Sequence, residues 1–222
     1  MADSLLNVFF GTLDSLATLA LIYKIFRWPF WRDFNKLLVI AVTISIISFI
    51  NRTVLNITEC DMAIQIILYV LALRFVIRAS AFYAFPLTSI GYITFLLIQF
   101  IVYPILLWTG LVTVSDAGAV FGIGTYIIQA GTEIACFAVA YLLYLFGLGY
   151  TYVDLPPHDP YIIERKTKLD TFANVLGTIA ISTFMYWILT FQSITHILII
   201  IPLLLVSLAV LLYLSLRKDI GR

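Results

Sequence analysis

Long apolar runs separated by short polar joints constrain this chain more than any other feature. From Leu87 to Trp108 there is no charged residue at all. A helix crossing the hydrocarbon core needs about 20 apolar residues. In lipid a helix satisfies its own backbone hydrogen bonds, which a loop cannot do. On that rule seven stretches qualify: Ser4–Phe26, Leu37–Val54, Met62–Ile77, Leu87–Trp108, Phe121–Leu145, Phe172–Phe191 and His196–Leu216. The third is the shortest and carries Arg74 in its last turn, where a long side chain can reach the interface. The expected fold is an all-α polytopic transmembrane bundle, with residues 1–222 forming one integral membrane domain. Composition agrees. Hydrophobic residues make up 63% and charged residues 11%, against roughly 45–50% and 25% in soluble domains.

The basic residues give the expected orientation, because Lys and Arg collect in cytoplasmic loops. With the N-terminus outside and the C-terminus cytoplasmic, Lys24, Arg27, Arg32 and Lys36 fall at the first inner loop. Arg74 and Arg78 fall at the second, Arg165, Lys166 and Lys168 at the third, and Arg217, Lys218 and Arg222 on the tail. Arg52 alone falls outside, near Glu59 and Asp61. The chain's start reads as a retained first span rather than a signal peptide, since its positive charges follow the apolar stretch. The expected location is the cell membrane, with lipid as the first partner. A net charge of +1 gives no reason to expect nucleic acid.

Details fit this map. Trp28, Trp31 and Trp108 lie at expected span ends, where amphipathic rings sit, and Trp187 lies toward the outer end of the sixth span. Pro86 suits the first turn of the fourth helix, while Pro104 and Pro202 fall inside spans. The connector 146–171 is proline-rich, then charged, and too short for a domain. Asn51-Arg52-Thr53 and Asn56-Ile57-Thr58 match the glycosylation pattern but sit against the membrane, so both are expected to be unmodified.

Only Asp14 and Glu133 place carboxylates deep within spans, with Gln99 at similar depth. Gln129 precedes Glu133 by four residues and shares its helix face. Gly122, Thr125, Cys136 and Ala140 extend that stripe of polar and small residues, the pattern of a packed interior face. A charge near the bilayer centre costs about 2.5–3.5 kcal/mol on insertion scales. Each acid must therefore be protonated, hydrogen-bonded or hydrated. Three roles stay open: a hydrogen bond holding helices together, a ligand pocket, or a path for protons or cations.

Enzymatic chemistry is not expected. HExxH, GxSxG, P-loop and strand-linked GxGxxG motifs are missing. Cys60 and His196 both fall near the outer surface, but nothing in their spacing pairs them as a thiol protease would require. His158 lacks companions as a metal ligand, so neither metal nor cofactor is expected.

The last-helix exit, Leu211-Leu212-Tyr213-Leu214-Ser215-Leu216-Arg217-Lys218-Asp219, and the corner Phe26-Arg27-Trp28-Pro29-Phe30-Trp31-Arg32 resemble the membrane sensor region of quorum-sensing-type histidine kinases of Gram-positive bacteria. The resemblance is one of texture along the whole chain. The chain stops at Arg222, so no kinase activity is expected. The resemblance implies signal reception through a signalling partner protein or a second copy of the chain. A ligand such as a peptide would contact Arg52, Glu59, Asp61 and Asp116 on the outer face. The competing expectation is a small-solute transporter, or the substrate-binding component of one, using Asp14, Gln99, Gln129 and Glu133.

Overall fold

The computed structural model describes residues 2–117, 119–153, 171–172, 175–180, 182 and 194–220, without the side chains at 2, 58, 59, 81 and 194–200. Helices are the only extended elements among them: α1 (Ala2–Ile25), α2 (Phe34–Thr53), α3 (Thr58–Phe75), α4 (Ala81–Trp108), α5 (Ile123–Leu145) and α6 (Ile194–Ile220). Short 3-10 turns, Phe30–Asp33 and Val114–Ala117, precede α2 and α5. Five stretches are long and apolar enough to cross a membrane: Asp3–Ile25, Phe30–Thr53, Phe82–Trp108, Ile123–Leu145 and Ile201–Ile220. Among the described residues the chain is all-helical, with five candidate membrane spans.

Two expected spans stand apart from those five. The third is α3, of 18 residues, which carries Glu59, Asp61 and Arg74. The sixth, Phe172–Phe191, lies largely outside the described residues, as do Trp187, His158, the cations at 165, 166 and 168, and the His196 side chain. Within it residues 175–180 are helical, and Gly177 lies against Ser89 and Phe85 of α4.

Helix α4 begins at Ala81 rather than Leu87, so Pro86 lies inside the helix and not in its first turn. The start is set by Ser80, whose carbonyl accepts from the amides of Tyr83 and Ala84. Pro86 then forgoes one helical N–H bond.

At the centre lies α1, packed against α2, α4 and α5. Ser15 to Tyr23 are all buried, followed by Ile25 and Phe26. A helix buried on every face is a core helix. Its crossing with α4 is close, because a Cβ at Gly91 would come within 2.1 Å of the Ile22 side chain.

Successive helices α1 to α5 alternate in direction, and α6 runs parallel to α5. The ends of α1, α5 and α6 and the start of α4 meet. The Trp28 indole N–H donates to the Val153 carbonyl at 3.1 Å, so this tryptophan is a core anchor rather than an interface residue. The Tyr150 amide donates to the Ile25 carbonyl, and its hydroxyl donates to Leu212 on α6. Lys218 reaches the ring and hydroxyl of Tyr83. Gly149 permits this joint: its φ is +130°, and a Cβ would lie 2.7 Å from the Ile25 carbonyl oxygen. Lys24, Arg27, Arg32, Lys36, Arg74, Arg78, Arg217 and Lys218 lie at or near this end of the bundle. Arg52 is the one described cation at the other. Trp31 and Trp108 are exposed at opposite ends.

Candidate functional site

Two polar groups, each built on a buried acid, join helices of the bundle. The first joins α2 to α3. Ser48, Asn51 and Arg52 fall on one face of α2 at helical spacing, and Asp61 and Gln65 do the same on α3. Asp61, 1% exposed, accepts from the Ser48 hydroxyl at 2.7 Å and the Asn51 amide at 3.2 Å. It also accepts from the Arg52 guanidinium at 2.6 Å and the Gln65 amide at 2.8 Å. Gln65 donates in addition to Ser48. The buried charge is thus neutralised and its oxygens are saturated, the condition for tolerating an ion away from water. The Asn51 side chain is buried and engaged, so it is no glycosylation acceptor as folded.

The second group joins α1 to α5. The Gln129 side-chain amide donates to Asp14 at 3.3 Å. Glu133, one turn further along α5, is 4% exposed. It is close enough to Asp14 for the two carboxylates to repel one another. Glu133 makes no hydrogen bond among the described residues, and its buried Oε1 has no partner; the buried Oε1 of Gln129 also lacks one. Thr132 and Cys136 are fully buried beside Glu133, with Ala140 a turn beyond Cys136 on the same stripe. Next to Asp14 on α1, the hydroxyls of Ser15 and Thr18 meet the Tyr69 hydroxyl from α3. The described cation acting on Asp14 is Arg52, already committed to Asp61.

The four interior residues singled out from sequence therefore divide. Asp14, Gln129 and Glu133 come together across the α1–α5 seam. Gln99, partly buried on α4, makes no hydrogen bond to them among the described residues. Of the outer-face residues, Arg52 and Asp61 bind each other. Asp116 accepts from the Thr113 hydroxyl and amide, both at 2.7 Å. These bonds hold its exposed carboxyl below the ordinary aspartate range. Glu59 lies in the first turn of α3, and its side chain is outside the described residues. Cys60 is exposed and Cys136 buried.

Sequence reasoning missed Ser48, Gln65 and Tyr69. The signal was present for the first two, since Ser48 and Arg52, like Asp61 and Gln65, are four residues apart on apolar helices.

Comparison with protein-family models, curated proteins and solved structures finds no match to this chain.

Proposed function

We propose that this chain is a multi-pass cell-membrane protein that binds a small solute inside its bundle, as a carrier or as the substrate-binding component of one. Asp14, Gln129 and Glu133 form the binding group. The observation that carries this reading is Glu133, a carboxyl 4% exposed with an unpartnered oxygen, one helical turn from the Gln129 that bonds Asp14. A carboxyl that merely held helices together would be engaged as Asp61 is. Leaving a buried polar group unmade costs about 1–3 kcal/mol, and a group kept at that cost is a functional candidate. An outer-face sensor site has less support, since Arg52 and Asp61 are occupied with one another.

We also propose seven crossings, with the N-terminus outside and the C-terminus cytoplasmic. The chain's path supports this count. α3 runs between the end of α2 and the start of α4, and its 18 residues span about 27 Å. A further crossing before α6 is supported by residues 175–180, which are helical and place Gly177 against α4. The eight described cations gathered at one end support a cytoplasmic position for that end.

The test is flux in vesicles. Reconstituted protein should dissipate an imposed pH gradient, read by an entrapped pH-sensitive dye, and Glu133→Gln should reduce the rate to that of protein-free vesicles. Equal leak from wild type, variant and empty vesicles would overturn the reading.

A further inference from the structure

The geometry points to the chemical class of the solute: we propose that the α1–α5 site takes a compact monocation bearing N–H donors, of the primary ammonium class. This rests on the binding role just given.

The first argument is the balance of donors and acceptors. Gln129 directs its amide N–H at Asp14, which leaves its Oε1 facing away as an acceptor. That oxygen and Glu133 Oε1 are both buried and unpartnered. Asp14, when ionised, has acceptor capacity beyond the single 3.3 Å bond it receives. The three residues therefore offer acceptors at three positions against one remaining donor, the second N–H of Gln129. A primary ammonium carries three N–H donors and no acceptor, which suits that excess of acceptors. A carboxylate or phosphate would bring more acceptors and more negative charge, and is rejected on both counts.

The second argument is charge. Asp14 and Glu133 repel one another, and a cation between them removes that repulsion. Arg52, the described cation that acts on Asp14, does not do so, since it lies 2.6 Å from Asp61.

The third argument separates ammonium from metal ions. Hard metal cations collect six or more oxygens, and membrane sites for them draw on carbonyls released where helices unwind. Here α1 is continuous through Asp14 and α5 through Gln129 and Glu133, so those carbonyls are spent within their helices. Among the described residues no cluster of three His, Cys, Asp or Glu side chains could hold a metal. Direct packing of α1 on α5 favours a compact cation over a bulky one.

The experiment is thermal unfolding of the purified full chain in detergent, with chloride salts of methylammonium, tetramethylammonium, sodium and potassium at equal ionic strength. Methylammonium should raise the midpoint of the wild type by about 3–6 °C near saturation. Tetramethylammonium has a similar charge and no N–H, and should leave it unchanged. Asp14→Asn and Glu133→Gln should each abolish the methylammonium shift. The tetramethylammonium comparison needs no variant, so a variant that fails to fold does not remove the test. Equal shifts from both ammonium salts, or an acid-dependent shift from sodium or potassium alone, would overturn the ammonium class while leaving an intramembrane binding site. No acid-dependent shift from any cation would overturn the inference. The proton-flux assay then decides separately whether the binding role falls with it.

Discussion

Asp61 accepts hydrogen bonds from four side chains, one of them a cation, whereas Glu133, nearly as far from water, accepts none among the described residues. Both acids lie on helices of one bundle, and the local sequence explains the difference. Asp61 faces Ser48, Asn51 and Arg52 across α2, so every need of its carboxylate is met inside the protein. Glu133 and Gln129 face α1 at Asp14, where a second acid adds to the demand for donors instead of supplying it. Burial alone therefore does not mark a functional acid. The deciding question is whether its partners are complete. Asp61 has the completeness of a structural latch, and the Asp14–Glu133 group is short of donors.

Substitutions can break or sharpen that contrast. Removing Asp61 strands Arg52, so Asp61→Ala should cost about 3 kcal/mol in detergent unfolding. The lower end of the range applies because the Arg52 side chain is 40% exposed. A loss below about 1 kcal/mol would show that the latch is not structural. Arg52→Ala leaves Asp61 its three neutral donors and should cost about 2 kcal/mol in the same measurement. Glu133→Gln should change unfolding by less than about 1 kcal/mol, because no existing hydrogen bond is lost and repulsion with Asp14 is relieved. A loss as large as that of Asp61→Ala would erase the distinction between the two groups.

Asp116 provides the exposed control and the smallest effect. Thr113 holds its folded-state pKa below the unfolded value of about 3.9. Its contribution is therefore full above that unfolded value and is lost as pH falls through the folded one. Hydrogen exchange at the Thr113 amide, which donates to Asp116, should stay slow near neutrality. It should quicken, relative to the intrinsic rate, on acidification below the ordinary aspartate range. Protection unchanged by acid would contradict that assignment.

Much of the architecture was legible in the sequence because lipid imposes a length and a polarity on each helix. The apolar stretches over α1, α2, α4, α5 and α6 follow from that rule alone. The central position of α1 did not. Leu19, Ile22 and Phe26 have the same apolar character whether they meet lipid or other helices, so hydropathy cannot tell core from lipid-facing surface. Trp28 misled for the same reason: at a helix end it reads as an interface ring, yet its N–H is bonded inside the protein. The pairing of Gln129 with Glu133 was readable from their spacing on one helix. Their meeting with Asp14, more than a hundred residues earlier, depends on which helices become neighbours. Arg52 and Asp61 were correctly placed near each other, but their mutual bond depends on how α2 and α3 face one another.

The central claim is that Asp14 and Glu133 form an open, reactive acid pair while Asp61 is closed by its partners. Labelling with a membrane-permeant carbodiimide, followed by peptide mass spectrometry, tests this most directly, since that reagent reaches carboxyls in apolar surroundings whose oxygens are not already engaged. The predicted result is an adduct on Asp14 or Glu133, diminished by methylammonium, with Asp61 unmodified. An adduct on Asp61, with Asp14 and Glu133 both untouched, would contradict the account.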